Sequence, residues 1–367
     1  MPRATLQNEG RGAAEERPFA CTELTFPDPR IKDVSVTRVL LVGTGSLAIQ
    51  AFEKLRGAGS RLVLVGAIDT HPEPEFLSRF PDLPRLDSAS GFEDLILDYC
   101  IDEVHVALPA KSAMTQLPPL RMACEELGIP LVLTLGVFEE SEARDEAPDR
   151  GFAAPVHVQF NRHPAIGTWR TVVKRAIDLV IASISVLILL PVFAVIAIAV
   201  LATSRGPVIF SQQRIGRGRR RFQMFKFRTM VANAEELRVE MEAHNNARGA
   251  SFKLFNDPRV TAVGGLLRRF SLDELPQLFN VIRGNMSLIG PRPIPVWVGE
   301  RLNKREYFRR FRVQPGMSGL WQVRGRTQDF DLMATQDLYF VDHWSLGLEL
   351  TILAQTIPAV VKADGAH

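Results

Sequence analysis

Two adjacent carboxylates, Asp273 and Glu274, lie in a stretch of the sequence that is otherwise apolar and basic. Arg268 and Arg269 precede the pair by about one helical turn, and leucines flank it on both sides. Nearby cations and apolar groups set the pKa and the nucleophilicity of a carboxylate, whereas two acids on an exposed helix are only solvated. From these residues alone, the pair is either a reactive carboxylate site or an inert polar face.

An arginine, Arg292, follows the acids closely and lies between Pro291 and Pro293. Proline fixes its own backbone angle, so the two rings restrict the direction in which the arginine side chain leaves the chain. The triplet therefore indicates that the backbone holds the guanidinium group of Arg292 in a fixed direction. A purely structural role of the triplet is the alternative.

A long uncharged run from Leu179 to Ser204 precedes these residues. About 20 apolar residues cross the hydrocarbon core of a bilayer, so the run predicts a membrane helix, and a buried core helix is the alternative. Pro191 lies near its middle, where proline kinks a helix. Lysine and arginine flank both ends, and positive residues prefer the cytoplasmic side. The run therefore predicts a re-entrant membrane insert at 179–204 that enters and leaves by the cytoplasmic face.

The segment 206–230, which follows the insert, interleaves arginines with phenylalanines. Nucleic-acid binding is one interpretation of such a pattern. The net charge of the whole chain is only +3, and the segment directly follows a membrane insert. A phospholipid or polyprenyl-phosphate surface is therefore the favoured partner, and no nucleic-acid partner is expected.

A strand, a glycine turn, a helix, a second strand and an acid follow one another between residues 37 and 69. Gly43, Gly45 and Asp69 match the dinucleotide-binding βαβ pattern, in which glycine amides face a phosphate and the acid binds a ribose. Further strands are predicted at 103–109 and 130–136. Nucleotide binding and a degenerate, regulatory or dimerising module both stay open, because glycines also serve to pack a helix against a strand.

The composition is that of a folded protein, with 46% hydrophobic and 23% charged residues among 367. Three widely spaced cysteines, Cys21, Cys100 and Cys124, lack metal-ligand spacing and predict reduced thiols in the cytosol. The first residues have no apolar core, so they predict a cytoplasmic N-terminus and no secretory signal.

Residues from Lys174 onward carry a series of motifs in a fixed order. They are KRxxD at 174–178, GPVIFSQQRIG at 206–216, KFRTM at 226–230, DPRVTAVG at 257–264, SLDELPQLFNVIRGNMSLIGPRP at 271–293 and PGMSGLWQVRGR at 315–326. Together they resemble the bacterial sugar transferases of the polyprenyl-phosphate hexose-1-phosphate transferase type, the monotopic phosphoglycosyl transferases. The first domain resembles the nucleotide-binding-like domain that precedes the catalytic domain in larger members of that family.

The resemblance completes the predicted organisation of the chain. A flexible tail at 1–35 is followed by a Rossmann-like domain at 36–140, a linker or short hairpin at 141–168 and a sugar transferase domain at 169–367. The expected fold class is α/β, in which an N-terminal Rossmann-like parallel sheet precedes a mostly helical, monotopic membrane domain with a re-entrant helix.

The resemblance also implies an activity. The family transfers a sugar 1-phosphate from a UDP-sugar to undecaprenyl phosphate and releases UMP, through a covalent phosphosugar intermediate on the aspartate of its Asp-Glu pair. Such transfer initiates exopolysaccharide or O-antigen-type glycan assembly on the cytoplasmic face of the inner membrane. The expected sugar is glucose or galactose, and a homodimer is possible. The alternatives are a glycosyltransferase that moves the sugar alone, and a regulatory homologue.

Carried onto this sequence, the resemblance assigns Asp273 as the nucleophile and Glu274 as its catalytic neighbour. Mg²⁺ is the implied cofactor, with Asp273 as its protein ligand. A carboxylate is itself an anion, so the negative charge of the diphosphate that it attacks has to be neutralised. The residues expected to bind the nucleotide-sugar phosphates are Lys226, Arg268, Arg292, Arg324 and Arg326.

Overall fold

The computed structural model of the protein describes residues 36–57, 62–69, 72–81, 83–86, 91–108, 110–135, 156–160, 169–204, 206–231, 234, 237, 257–302, 304–325 and 329–361. The predicted tail at 1–35 lies outside the described residues, and so do Arg326 and the predicted linker apart from 156–160.

The first part of the described chain is a sheet of parallel strands connected by helices. Runs of Val, Leu and Ile are typical of strands that are buried on both faces, and these runs pair in parallel in the order β2-β1-β3-β4. The elements are β1 (Thr37–Val42), α1 (Ser46–Gly57), β2 (Leu62–Ile68), α2 (Pro74–Arg79), α3 (Phe92–Asp98), β3 (Glu103–Val106), α4 (Ala110–Leu127) and β4 (Leu131–Leu135). The prediction of an α/β fold with an N-terminal parallel sheet is confirmed.

A further strand, β5 (Val156–Phe160), pairs antiparallel with β4 at the edge of this sheet. The sheet therefore continues past residue 140 into the segment predicted as a linker. An antiparallel neighbour needs no crossover helix, so the alternation of strands and helices that marked the other strands could not reveal this one.

Two of the cysteines belong to this sheet domain. Cys124 is free and buried, whereas Cys100 is disulfide-bonded. The prediction of reduced thiols is therefore wrong for Cys100, because spacing along the sequence does not show which cysteines meet in the fold.

The longest element is α5 (Trp169–Thr203), a helix of 35 residues. Among the described residues it is the one helix long and apolar enough to cross a membrane. Leu187, Ile188 and Ile198 are 67%, 69% and 68% exposed, as is typical of a segment that lies in lipid rather than in a protein core. The helix continues through Pro191, so a re-entrant course is not confirmed.

The remaining elements are short helices around two small sheets. The strands are β6 (Ile209–Ile215), β7 (Arg221–Phe227), β8 (Ser287–Ile289), β9 (Ile294–Pro295) and β10 (Gly316–Ser318). The helices are α6 (Ala262–Arg269), α7 (Gln277–Ile282), α8 (Val296–Glu300), α9 (Leu320–Val323), α10 (Phe330–Asp342) and α11 (Leu346–Val361). The 3₁₀ segments are the arginine turn (Arg217–Arg219), the acidic turn (Leu272–Glu274) and the arginine helix (Arg305–Arg312). β6 and β7 form a hairpin whose tip is the arginine turn.

Candidate active site

The two carboxylates lie in the acidic turn, directly after α6. Thr261 begins α6 by accepting a hydrogen bond from the amide of Gly264 at 3.0 Å, a common helix cap. Beyond the end of α6, Ser271 adopts a left-handed conformation with φ of 54°, which redirects the chain into the acidic turn. Asp273 is only 6% exposed. The pair is therefore not a solvated polar face.

Glu274 is held by two cations that come from different elements. Lys226 Nζ, on β7, lies 2.7 Å from Glu274 Oε1, and Arg292, in the loop after β8, donates to the same oxygen at 3.1 Å. Burial alone would raise the pKa of Glu274, but the charges and hydrogen bonds of Lys226 and Arg292 lower it well below its ordinary value. Glu274 thus contacts both cations through one oxygen and fixes their positions.

Asp273 has the opposite electrostatic character. Its Oδ2 lies 3.5 Å from Lys226 Nζ, a looser contact than the one that Lys226 makes with Glu274. Burial raises the pKa of Asp273 and the negative charge of Glu274 raises it further, against the opposing effect of Lys226. A desolvated and more basic carboxylate that is only loosely paired is suited to act as a nucleophile.

Arg268 is the third cation near the acids, and its charge opposes the rise in the pKa of Asp273. Its Nε donates to Thr229 Oγ1 at 2.9 Å. The position follows from close packing, because a Cβ atom built on Gly264 would lie 2.0 Å from the carbonyl oxygen of Thr229. The glycine in α6 thus lets the helix approach the chain after β7 and bring its arginine to the site.

The structure shows a positioning residue that sequence analysis missed, Asn280. It is fully buried in α7, accepts a hydrogen bond from the amide of Phe225 at 3.0 Å and donates to the carbonyl of Gln223 at 2.7 Å. The side chain therefore ties the helix after the acids to the strand that carries Lys226. The available signal was a lone amide in the apolar sequence LFNVI, because a buried polar group requires partners.

A second missed group positions Arg292. Arg310, in the arginine helix, donates to the carbonyl oxygen of Arg292 at 2.9 Å. Arg310 in turn pairs with Asp337 at 2.5 Å, and each side chain is 1% exposed. The guanidinium of Arg292 lies 5.6 Å from the ring centre of Trp321, within the range of a cation–π contact. Residues far apart in sequence thus fix both ends of Arg292.

Two of the predicted phosphate-binding residues are not brought to the acids by any described contact. The guanidinium of Arg324 lies 5.9 Å from the ring centre of Tyr339. Arg326 lies outside the described residues. Their role in substrate binding stays a prediction.

The family model for bacterial sugar transferases matches residues 169–363, slightly more than half of the chain. The chain belongs to the bacterial sugar transferase family. The family predicted from the motifs is thereby confirmed, and the matched residues contain α5, the acidic turn and its cations.

Individual relatives match over the same half of the chain. The galactosyl transferase CpsE of Streptococcus agalactiae is 39% identical over 197 residues, 53% of this chain and 43% of the relative. The undecaprenyl-phosphate galactose phosphotransferase of Salmonella typhimurium is 41% identical over 203 residues, 53% of this chain and 41% of the relative. The exopolysaccharide production protein ExoY of Rhizobium meliloti is 40% identical over 200 residues, 53% of this chain and 88% of the relative. The chain thus spans less than half the length of the first two relatives.

A metal ion in this sugar transferase would have few protein ligands. Among the described residues, no group of three or more His, Cys, Asp or Glu side chains could hold one. Glu274 is already held by Lys226 and Arg292, which leaves Asp273 as the carboxylate with capacity for a ligand bond. Mg²⁺ commonly binds through one or two carboxylates plus substrate phosphates. The residues fit such an ion, with Asp273 as its protein ligand.

The glycine loop lies before the part of the chain that the sugar transferase family model matches. Asp69 Oδ2 accepts hydrogen bonds from the amide of Thr44 at 2.8 Å and from its hydroxyl at 2.6 Å. The amide of Gly43 donates to the carbonyl of Ile68 at 2.8 Å. A nucleotide would need loop amides for its phosphate and the acid for its ribose, but here the amide of Thr44 binds the acid and the amide of Gly43 binds a carbonyl at the end of β2.

Packing accounts for the first glycine of the loop. Gly43 has φ of 108°, and a Cβ atom there would lie 2.3 Å from the carbonyl oxygen of Ala107, at the end of β3. The structure brings Gly43, Gly45 and Asp69 together as predicted, yet it favours the packing role over a nucleotide site.

Proposed function

We propose that this protein transfers a sugar 1-phosphate from a UDP-sugar to undecaprenyl phosphate and releases UMP, in a reaction that initiates the assembly of a polysaccharide. The observation that carries the proposal is the unequal pair in the acidic turn. Glu274 is occupied by Lys226 and Arg292, whereas Asp273 is buried, more basic and only loosely paired. Relatives named as undecaprenyl-phosphate galactose and glucose phosphotransferases support glucose or galactose as the sugar.

In the first step, a carboxylate oxygen of Asp273 attacks the phosphorus atom that carries the sugar. A bond from that phosphorus to Asp273 forms as its bond to the bridging oxygen breaks, and UMP leaves with that oxygen. In the second step, a phosphate oxygen of undecaprenyl phosphate attacks the same phosphorus atom. Asp273 is released as a carboxylate, and the product is a lipid diphosphate sugar.

The cations provide the electrostatic part of this chemistry. Negative charge develops on the phosphoryl oxygens and on the leaving phosphate, and fixed positive charges in a site shielded from water stabilise it. Lys226 and Arg292 are fixed by Glu274, and Arg268 by Thr229. Mg²⁺, when bound at Asp273, would neutralise negative charge on the diphosphate and make UMP a better leaving group.

The second substrate lies in a lipid bilayer, and α5 provides the means of reaching it. Both sides of Pro191 contact the same short helix, α7. Arg175 donates to the carbonyl of Val281 at 2.7 Å, and the ring centre of Phe193 lies 5.9 Å from that of Phe279. On a straight helix Arg175 and Phe193 would be ~27 Å apart, whereas the six residues of α7 span only ~9 Å. These contacts support a bend near Pro191 and a monotopic, re-entrant insertion from the cytoplasmic face.

Labelling of single cysteines tests this topology. Arg170→Cys and Val208→Cys, placed on either side of the insert in a cysteine-free background, should both react with an impermeant maleimide added from the cytosolic side. Ile188→Cys, on the exposed apolar part of α5, serves as the protected control. Reaction of only one of the two flanking positions would refute re-entry.

Product analysis tests the activity. Membranes that contain the protein are incubated with a panel of UDP-sugars, and the released nucleotide and the lipid product are identified. UMP and a lipid diphosphate sugar are expected. Release of UDP would support the transfer of sugar alone, and the absence of turnover with every UDP-sugar would support a regulatory homologue.

The nucleophile is tested with Asp273→Asn, which should reduce UMP release by at least about a thousandfold. Asp331→Asn removes an exposed carboxylate from α10 and is the matched control. The radiolabelled phosphosugar should remain attached to the wild-type chain after denaturation, and not to the Asp273→Asn chain. Wild-type turnover by Asp273→Asn would refute the assignment.

A further inference from the structure

The N-terminal domain holds the tip of the hairpin that carries Lys226. Asp102, directly before β3, pairs with Arg38 of β1 and with Arg220 of the hairpin, each at 3.0 Å. Arg38 also donates to the carbonyl of Gly218 at 2.5 Å. Side-chain exposure is 1% for Arg38, 18% for Asp102 and 9% for Arg220. The carboxylate therefore connects the two domains through charged hydrogen bonds that are largely shielded from water.

The arginine turn is shaped to fit against this domain. Arg219 adopts a left-handed conformation with φ of 59°, which is strained for a residue other than glycine. Its side chain is buried and donates to the carbonyls of Ile96 and Leu97 at the end of α3. A Cβ atom built on Gly218 would lie 2.5 Å from Asp102 Oδ1. Strain of this kind persists only where the surroundings impose it.

A second element of the catalytic domain, the arginine helix, contacts the same domain. Phe308 packs against the buried core of the parallel sheet. Arg305 pairs with Asp94 at 3.3 Å, and a Cβ atom on Gly128 would lie 2.8 Å from the side chain of Arg312. The arginine helix thus lies directly against the ends of α3 and α4.

The arginine turn and the arginine helix each connect the N-terminal domain to one of the two cations on Glu274. β7 runs from the arginine turn to Lys226, and Arg310 in the arginine helix donates to the carbonyl of Arg292. Lys226 and Arg292 then bind the same oxygen of Glu274. The N-terminal domain is therefore connected by short elements to both cations that hold Glu274.

We propose that the N-terminal domain is a positioning domain that holds Lys226 and Arg292 in register with Glu274, and that Asp102 is the positioning residue for the hairpin that carries Lys226. The inference deepens the proposed function and rests on it where turnover is the measurement. A displacement of about 1 Å in catalytic groups costs up to about a hundredfold in rate, so a looser interface should reduce catalysis without touching the substrate.

The test compares Asp102→Ala and the milder Arg220→Gln with Glu75→Gln, a change at an exposed position of α2 in the same domain. In the full-length protein, both interface variants should lower kcat by about ten- to a hundredfold per folded molecule. A purely structural role would reduce the amount of folded protein and leave kcat per folded molecule unchanged.

Hydrogen exchange provides a measurement that does not depend on turnover. Peptides that cover 221–227 and 290–295 should exchange faster in Asp102→Ala and Arg220→Gln than in the wild type. Their exchange in Glu75→Gln should be the same as in the wild type. Unchanged exchange in both peptides of folded Arg220→Gln would overturn the positioning role, whatever the activity. Absence of UMP release by the wild type, together with the expected exchange, would instead refute only the proposed function.

Discussion

The glycine loop and the acidic turn each hold a carboxylate that sequence motifs mark as functional, but the partners of the two carboxylates differ. Asp69 accepts hydrogen bonds from the amide and the hydroxyl of Thr44, which are neutral groups of its own βαβ unit. Glu274 binds Lys226 and Arg292, which are charged groups from a separate hairpin and a separate loop. The partners described for Asp69 are thus neutral and local.

The charges around the acidic turn do not balance. Three cations, Lys226, Arg268 and Arg292, act on Asp273 and Glu274, so the five groups carry an excess of positive charge when both acids are ionised. An excess of buried positive charge is favourable for a diphosphate. The comparison shows that a motif is more informative about function when its partners leave charge uncompensated.

The largest effects on activity are expected from removing Lys226, one of the three cations, or Glu274, one of the two acids. Lys226→Met and Glu274→Gln should each lower kcat by about a hundred- to a thousandfold, the usual result of removing a group that fixes or provides transition-state charge. Their pH profiles should move in opposite directions. Without Lys226 the pKa of Asp273 rises, so the acidic limb moves to higher pH. Without the negative charge of Glu274 that pKa falls, so the limb moves to lower pH.

Initial rates of UMP release between pH 4 and 9, corrected for folded protein, measure both effects. Lys304→Met, which removes an exposed lysine paired with Asp331, is the control and should leave rate and profile unchanged. Shifts in the same direction for Lys226→Met and Glu274→Gln would contradict the electrostatic assignment of the pair.

The sequence predicted those parts of the site that lie in contiguous motifs. The acidic pair, Lys226, Arg268 and Arg292 lie together in the structure, and the parallel sheet and the long apolar helix are present. It did not predict the division of roles between Asp273 and Glu274, because that division depends on which oxygen two distant cations reach.

The groups that position the cations were equally hidden. Asn280, Arg310 and Asp337 act through contacts between residues 18 to 57 positions apart, which no local pattern records. β5 was missed because an antiparallel edge strand leaves no trace in the alternation of strands and helices. Tertiary packing, rather than local propensity, decided each of these features.

An intermediate effect on activity is expected for Asn280, which is uncharged and holds α7 against β7. Asn280→Ala leaves the amide of Phe225 and the carbonyl of Gln223 without their side-chain partner, at a cost of about 1–3 kcal/mol for buried polar groups. The apparent Tm in detergent should fall, and kcat should fall about tenfold as β7 shifts. Asn285→Ala, at a half-buried position after the same helix, should change neither. Full activity of folded Asn280→Ala would remove it from the positioning groups.

The smallest effect on activity is expected in the glycine loop. Asp69→Asn removes the charge that accepts two hydrogen bonds from Thr44, and should destabilise the N-terminal domain by about 1–2 kcal/mol. UMP release per folded molecule should stay within about twofold of the wild type, because the change touches neither the arginine turn nor the arginine helix. Titration calorimetry with NAD, ATP and UDP-glucose, performed on the Asp273→Asn chain to prevent turnover, should show no binding that Asp69→Asn abolishes. Nucleotide binding that depends on Asp69 would break the comparison, because the loop would then have to release Thr44 in order to bind its ligand. Unaltered binding and turnover would instead place the function of this domain in its contacts with the active-site hairpin.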